Sequence, residues 1–96
     1  MSTAVSIDEN KIANILRRHG VTQAAIFGSF SRKDANQASD LDLLVTYKPG
    51  TTLFDAINLQ EELEQALGKK VDLVSQKYLS PRLAKRIKHD LRPLAI

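Results

Sequence analysis

The sequence predicts a small α/β (α+β) domain, with helices flanking a sheet that is at least partly parallel. Three observations lead there. Apolar residues switch repeatedly between helical and strand spacing along the chain, and the strand-helix-strand run from Asp40 to Ser75 fits a right-handed parallel crossover. No internal repeat, low-complexity tract or linker interrupts the 96 residues. A chain of that length, 43% hydrophobic, has room for one core, so residues 1–96 read as a single domain that must find any further recognition surface on a partner.

Composition narrows the class. There is no cysteine, which excludes a disulfide scaffold, a thiolate zinc site and a cysteine nucleophile, and makes the cytoplasm the expected compartment. The first ten residues (MSTAVSIDEN) lack the basic start and apolar stretch of a signal peptide, and no apolar run approaches the roughly 20 residues that span a bilayer. Fourteen Lys and Arg against eleven Asp and Glu leave a net charge of +3. That is compatible with a phosphate-bearing ligand and too small to argue for nucleic acid by itself.

Each element has a local cause. Ser6-Ile7-Asp8-Glu9 has the form of a capping box, and Ile12, Ile15 and Leu16 then share one helical stripe. Arg17, Arg18 and His19 place cations where the helix dipole favours them, and Gly20 ends the helix. Val21 to Phe27 is a short apolar strand stopped by Gly28-Ser29, and a loop or short helix fills the polar stretch from Ser31 to Ser39. Asp40 to Tyr47 alternates: Leu41, Leu43, Val45 and Tyr47 face one way, Asp40, Asp42, Leu44 and Thr46 the other. Lys48-Pro49-Gly50 is turn chemistry, and Thr51 or Thr52 caps a helix whose Ala56, Leu59, Leu63, Ala66 and Leu67 form its core face, up to Gly68. Lys70 to Ser75 is a third strand. Ser80 and Pro81 open a last, basic helix marked by Leu83, Ile87 and Leu91, before Pro93 and a short apolar tail.

The chemistry gathers between Gly28 and Asp72. A glycine-serine turn directly after a strand lets a phosphate approach the backbone, and the serine hydroxyl adds a donor. Arg32, three residues beyond Ser29, either contacts phosphate or pairs with Asp34. Asp40 and Asp42, at i and i+2 of a strand, project together, and Asp72 sits at the centre of the next strand. Asp40 could otherwise be a strand-initiating acid, and Asp72 could pair with Lys69, Lys70 or a helix terminus. Carboxylates about 4 Å apart repel by up to about 4 kcal/mol at an effective dielectric near 20, so three converging acids call for a cation. Mg²⁺ suits them, because it takes oxygen ligands and is commonly held by one or two carboxylates plus substrate phosphates.

At these residues the chain resembles the DNA polymerase β-like nucleotidyltransferase superfamily, and its length is similar to the minimal nucleotidyltransferase branch. The likeness runs from the first helix through the strand carrying Asp72. It implies the nucleotidyltransferase fold, a small mixed sheet flanked by helices. It also implies that Gly28 and Ser29 contact a nucleoside triphosphate, that Asp40 and Asp42 hold two Mg²⁺ ions, and that Asp72 helps ligate metal and activate the attacking hydroxyl. The family often has glycine where this chain has Lys33. Minimal members resemble antitoxins paired with HEPN-type RNase toxins, which implies transfer of AMP from ATP to a hydroxyl of the toxin, within a homo- or hetero-oligomer.

Two other readings stand beside this one. A non-catalytic antitoxin would neutralise its partner by complex formation alone. RNA binding through Arg82, Lys85, Arg86, Lys88 and Arg92 finds no stacking platform, since Phe27, Phe30, Tyr47, Phe54 and Tyr78 are scattered, so nucleic acid is not the expected partner. His19 and His89 have no partner at ligand or triad spacing and read as helix-end residues.

Overall fold

The computed structural model describes residues 7–96. Helix α1 (Glu9–Arg18) leads into β1 (Val21–Phe27), the one-turn helix α2 (Ser29–Arg32), β2 (Leu41–Tyr47), α3 (Leu53–Leu67) and β3 (Val71–Ser75). A 3₁₀ turn over Gln76–Tyr78, helix α4 (Pro81–Ile87) and β4 (Arg92–Leu94) complete the chain. The strands form one mixed sheet in the order β3-β2-β1-β4. β1 is antiparallel to both its neighbours, and β2 and β3 are parallel, joined across α3 as the strand-helix-strand spacing predicts.

Helices pack on both faces of the sheet, one fully and one in part. Ile12, Ile15 and Leu16 of α1 and Leu59 and Leu63 of α3 pack on Ala24, Ile26, Leu41, Leu43, Val45 and Val71, nearly all without solvent contact. This is the face that the alternation of β2 assigns to Leu41, Leu43 and Val45. On the other face Phe27 and Leu44 meet Ile87 of α4, with Val74, Leu79 and Leu83 around them. That smaller cluster explains why Leu44 interrupts the polar side of β2: α4 covers it.

Local signals set most boundaries. Thr52 and Asp55 exchange bonds in a capping box, the Thr52 amide reaching Asp55 Oδ2 at 2.9 Å, and α3 ends at Gly68 in the left-handed conformation. Ser80 caps α4 through the Leu83 amide, with Pro81 in the first turn.

Three expectations are corrected. The cap of α1 is Asp8, whose side chain accepts from the Lys11 amide at 3.1 Å, while Ser6 lies outside the described residues. Glu9 takes two bonds from Arg92 Nη1, at 2.8 and 2.9 Å. The last helix stops at Ile87, so Leu91 lies beyond it, and the apolar tail is an edge strand in which Ala24, Ala25 and Ile26 pair with Leu94, Pro93 and Arg92. Proline, with no N–H to donate, is tolerated there because, among the described residues, the outer side of β4 has no neighbour in the sheet. Among the described residues, no helix is long and apolar enough to cross a membrane.

Candidate active site

Strand directions assemble the site. Because β1 and β2 are antiparallel, the end of β1 lies beside the start of β2, and Phe27 pairs with Asp42. Because β2 and β3 are parallel, their starts lie together, and Asp42 pairs with Asp72. Three segments far apart in sequence thus bring Gly28, Asp42 and Asp72 to one end of the sheet's strands, on the face where α4 lies.

Gly28 is required there twice over. Its φ of 75° with ψ of −152° is a conformation essentially confined to glycine. A Cβ at this position would also run into Asp42 Oδ2. The backbone therefore passes against the carboxylate, and nothing bulkier than hydrogen fits between them. Beyond it, the amides of Ser31 and Arg32 donate to the Gly28 carbonyl at 3.1 and 3.0 Å, closing a single turn. Phe30, 4% exposed, anchors that turn in the main core. Lys33 ends it at φ 65°, the left-handed region that favours glycine, in the place where the resemblance expects glycine.

The carboxylates interact unfavourably. Asp42 has its pKa pushed up from 3.8 to about 6, first by burial and then by the charge of Asp72 and a hydrogen bond with it, with a smaller push from Asp40. Arg32 pulls the other way, though more weakly than any of these. Asp40 stands one residue before β2, at the end of a connection shaped by Asn36, whose side chain receives the Ala38 amide at 2.8 Å, and by the buried Ala35. Among the described residues, no three Asp, Glu, His or Cys side chains are close enough to form a ready metal cage. Asp42 and Asp72 are paired across β2 and β3, and the charge of Asp40 reaches Asp42 as well.

Arg32 makes both its ion pairs with protein. Nε donates to Asp34 Oδ2 at 3.2 Å, and Nη1 to Asp90 Oδ2 at 2.8 Å. Those bonds, that to Asp90 foremost, raise its pKa above the usual value. The Asp34 alternative is therefore present, and Asp90 is a partner that sequence reasoning missed, since no local pattern relates residues 32 and 90. Lys69 does not pair with Asp72; its Nζ lies 4.6 Å from the centre of the Phe30 ring. His19 bonds to Glu62 Oε1 at 2.7 Å, remote from the carboxylates in the fold, and the contact lowers the Glu62 pKa.

With this geometry in view, residues 10–94 match the family described as polymerase beta, nucleotidyltransferase. The chain belongs to the polymerase β nucleotidyltransferase family. Among relatives of this nucleotidyltransferase, a candidate protein adenylyltransferase of Methanocaldococcus jannaschii, MJ0435, is 43% identical over 79 residues, covering 82% of this chain and 85% of that protein. A solved toxin-antitoxin complex with AMP-PNP is similar with a TM-score of 0.82 and 27% identity, over 93% of this chain and 73% of the other. A complex of a tri-AMPylated HEPN toxin with its MNT antitoxin, from Shewanella oneidensis, is similar with a TM-score of 0.71 and 27% identity, over 91% of the nucleotidyltransferase and 68% of the other chain.

Proposed function

We propose that this nucleotidyltransferase is a Mg²⁺-dependent protein adenylyltransferase that moves AMP from ATP to a hydroxyl of a partner protein. We infer further that the partner is a HEPN-type RNase toxin, for which the chain is the cytoplasmic antitoxin. One observation carries the reading: the Asp42–Asp72 pair is held against Gly28, and Asp42 retains a raised pKa with only the weaker pull of Arg32 to offset it. The adenylyltransferase relative and the two similar toxin-antitoxin complexes support the substrate and partner.

The donor set fits Mg²⁺. It is all oxygen, carries excess negative charge, and leaves positions for phosphates and water, as that ion prefers. Asp40, Asp42 and Asp72 would hold it, and it would supply charge neutralisation at the phosphates of ATP. In the transfer, the acceptor oxygen bonds to the α-phosphorus, the bond from that phosphorus to the β-bridging oxygen breaks, and pyrophosphate leaves. Asp72 takes the proton of the acceptor hydroxyl. Gly28 lets the triphosphate approach the backbone, and the Ser29 hydroxyl donates to its β and γ oxygens. Arg32 spends two of its five N–H donors on Asp90 and Asp34, leaving others for a phosphate. At the other end of β2 and β3 from the carboxylates, Leu53, Phe54 and Tyr78 are each about three-quarters exposed, beside a groove of about 690 Å³.

The test is to incubate the protein with its HEPN partner, Mg²⁺ and ATP and to weigh the partner by intact mass spectrometry, with Asp42→Asn in parallel. Mass added in steps of AMP, and lost in the variant, is the expected result; full activity in Asp42→Asn would overturn the assignment. Lys33, where the resemblance expects glycine, favours a second reading, in which the chain neutralises its partner by binding alone. Under that reading Asp42→Asn neutralises the toxin as well as the native protein does.

A further inference from the structure

A helix of four residues does not hold itself in place, because one turn fixes more backbone than it bonds. The turn carrying Gly28 and Ser29 is therefore held by its surroundings. Phe30 anchors one side in the core. The other side is tied to Asp90, which receives bonds from two consecutive residues of the turn: Arg32 Nη1 donates to its carboxylate at 2.8 Å, and Ser31 Oγ donates to its backbone carbonyl.

Asp90 is itself well fixed. Its amide donates to the Ile87 carbonyl at 2.9 Å at the end of α4. Two residues later Arg92 opens β4, pairs with Ile26 of β1 and holds Glu9 of α1. The Asp90 side chain is 22% exposed, whereas that of Asp34, the other partner of Arg32, is 60% exposed and lies two residues away along the same loop. Of the two carboxylates, Asp90 is thus the one able to tie Arg32 to a separate part of the molecule.

We propose that Asp90 is the positioning residue of the nucleotide-binding turn. Through Ser31 and Arg32 it fixes the conformation in which Gly28 and Ser29 meet the triphosphate, and it holds the Arg32 guanidinium near Asp42. The C-terminal strand is thereby part of the site's framework. The proposal rests on the nucleotidyltransferase reading of this turn, so its test has one readout that needs no catalysis.

That readout is amide hydrogen exchange in Asp90→Ala, Asp90→Asn and Asp34→Ala. In Asp90→Ala the amides of Ser31, Arg32 and Asp34, which donate to Gly28 and Ser29, exchange about tenfold faster, while the β1–β2 ladder keeps its protection. Asp90→Asn, which keeps an acceptor but loses the charge, falls between that and the native protein, and Asp34→Ala leaves the turn protected. The second readout is steady-state AMP transfer. Asp90→Ala raises KM for ATP about tenfold with kcat changed less than about threefold, as expected for lost binding rather than lost chemistry. Unchanged turn exchange, exchange that quickens equally in the ladder, or an unchanged KM would each overturn the proposal. If Asp90→Ala does not fold, Asp90→Asn carries the same comparison. A native protein that transfers no AMP would remove the enzymatic reading, while the exchange result would still decide whether Asp90 holds the turn.

Discussion

Removing one negative charge from the carboxylate pair should make this protein more stable. The perturbation is Asp42→Asn, which keeps the side chain's shape and mimics the protonated acid. In the folded state the Asp42 pKa is raised from 3.8 to about 6, by burial first and Asp72 second. A raised folded pKa means that the stabilising contribution is complete below pH 3.8 and is lost as pH rises through about 6. At about 1.4 kcal/mol per pH unit, a shift of this size corresponds to about 3 kcal/mol for a fully buried group. Asp42 is only partly buried, so solvent screening reduces the expected gain to about 1 to 1.5 kcal/mol. The assay is urea unfolding in EDTA at about pH 7.5 and about pH 3.5, where the charge is present and absent in turn. The variant should be the more stable protein at the higher pH and equal at the lower, and added Mg²⁺ should stabilise the native protein more than the variant. A variant less stable than the native protein at neutral pH would refute the account of the carboxylate pair.

The remaining predictions concern the backbone and a cap. Gly28→Ala combines a forbidden φ/ψ with a collision against Asp42, and should lower stability by about 2 to 4 kcal/mol and abolish nucleotide binding, measured by thermal melting and calorimetric titration with AMP-PNP. Lys33→Gly relieves a left-handed residue, and should raise stability by about 0.5 to 1 kcal/mol after the flexibility gained by the unfolded chain is subtracted, seen as a higher melting temperature. Thr52→Ala removes the capping box of α3, away from the carboxylates, and should cost about 1 kcal/mol in urea unfolding with no change in KM for ATP.

Elements with local causes were legible. Val21 to Phe27 is a strand over the predicted span because an apolar run is closed by Gly20 and Gly28, and α3 keeps its predicted ends because Thr52 and Gly68 act within a few residues of the backbone groups they satisfy. The alternation of β2 placed Asp42 opposite Leu41 and Leu43 before any partner strand was known. The failures involve partners distant in sequence. Residues 92 to 94 are too few and include a proline, so nothing local marks them as a strand; β1 makes them one by lending its free edge. Nothing local signals the bonds that Glu9 takes from Arg92, 83 residues away.

The chemistry of the site follows the same division. Sequence alone determined which residues are of the right kind: a glycine-serine turn after a strand, acids at i and i+2 of the next, and one more acid on a third, because backbone periodicity fixes which side chains share a face. Tertiary structure alone decided which of them meet. One antiparallel and one parallel pairing bring Gly28, Asp42 and Asp72 together, and the path of the chain between α4 and β4 sets Asp90 against Arg32. Strand direction and register arise from packing the whole chain, and the burial that raises the pKa of Asp42 exists only once that packing is complete.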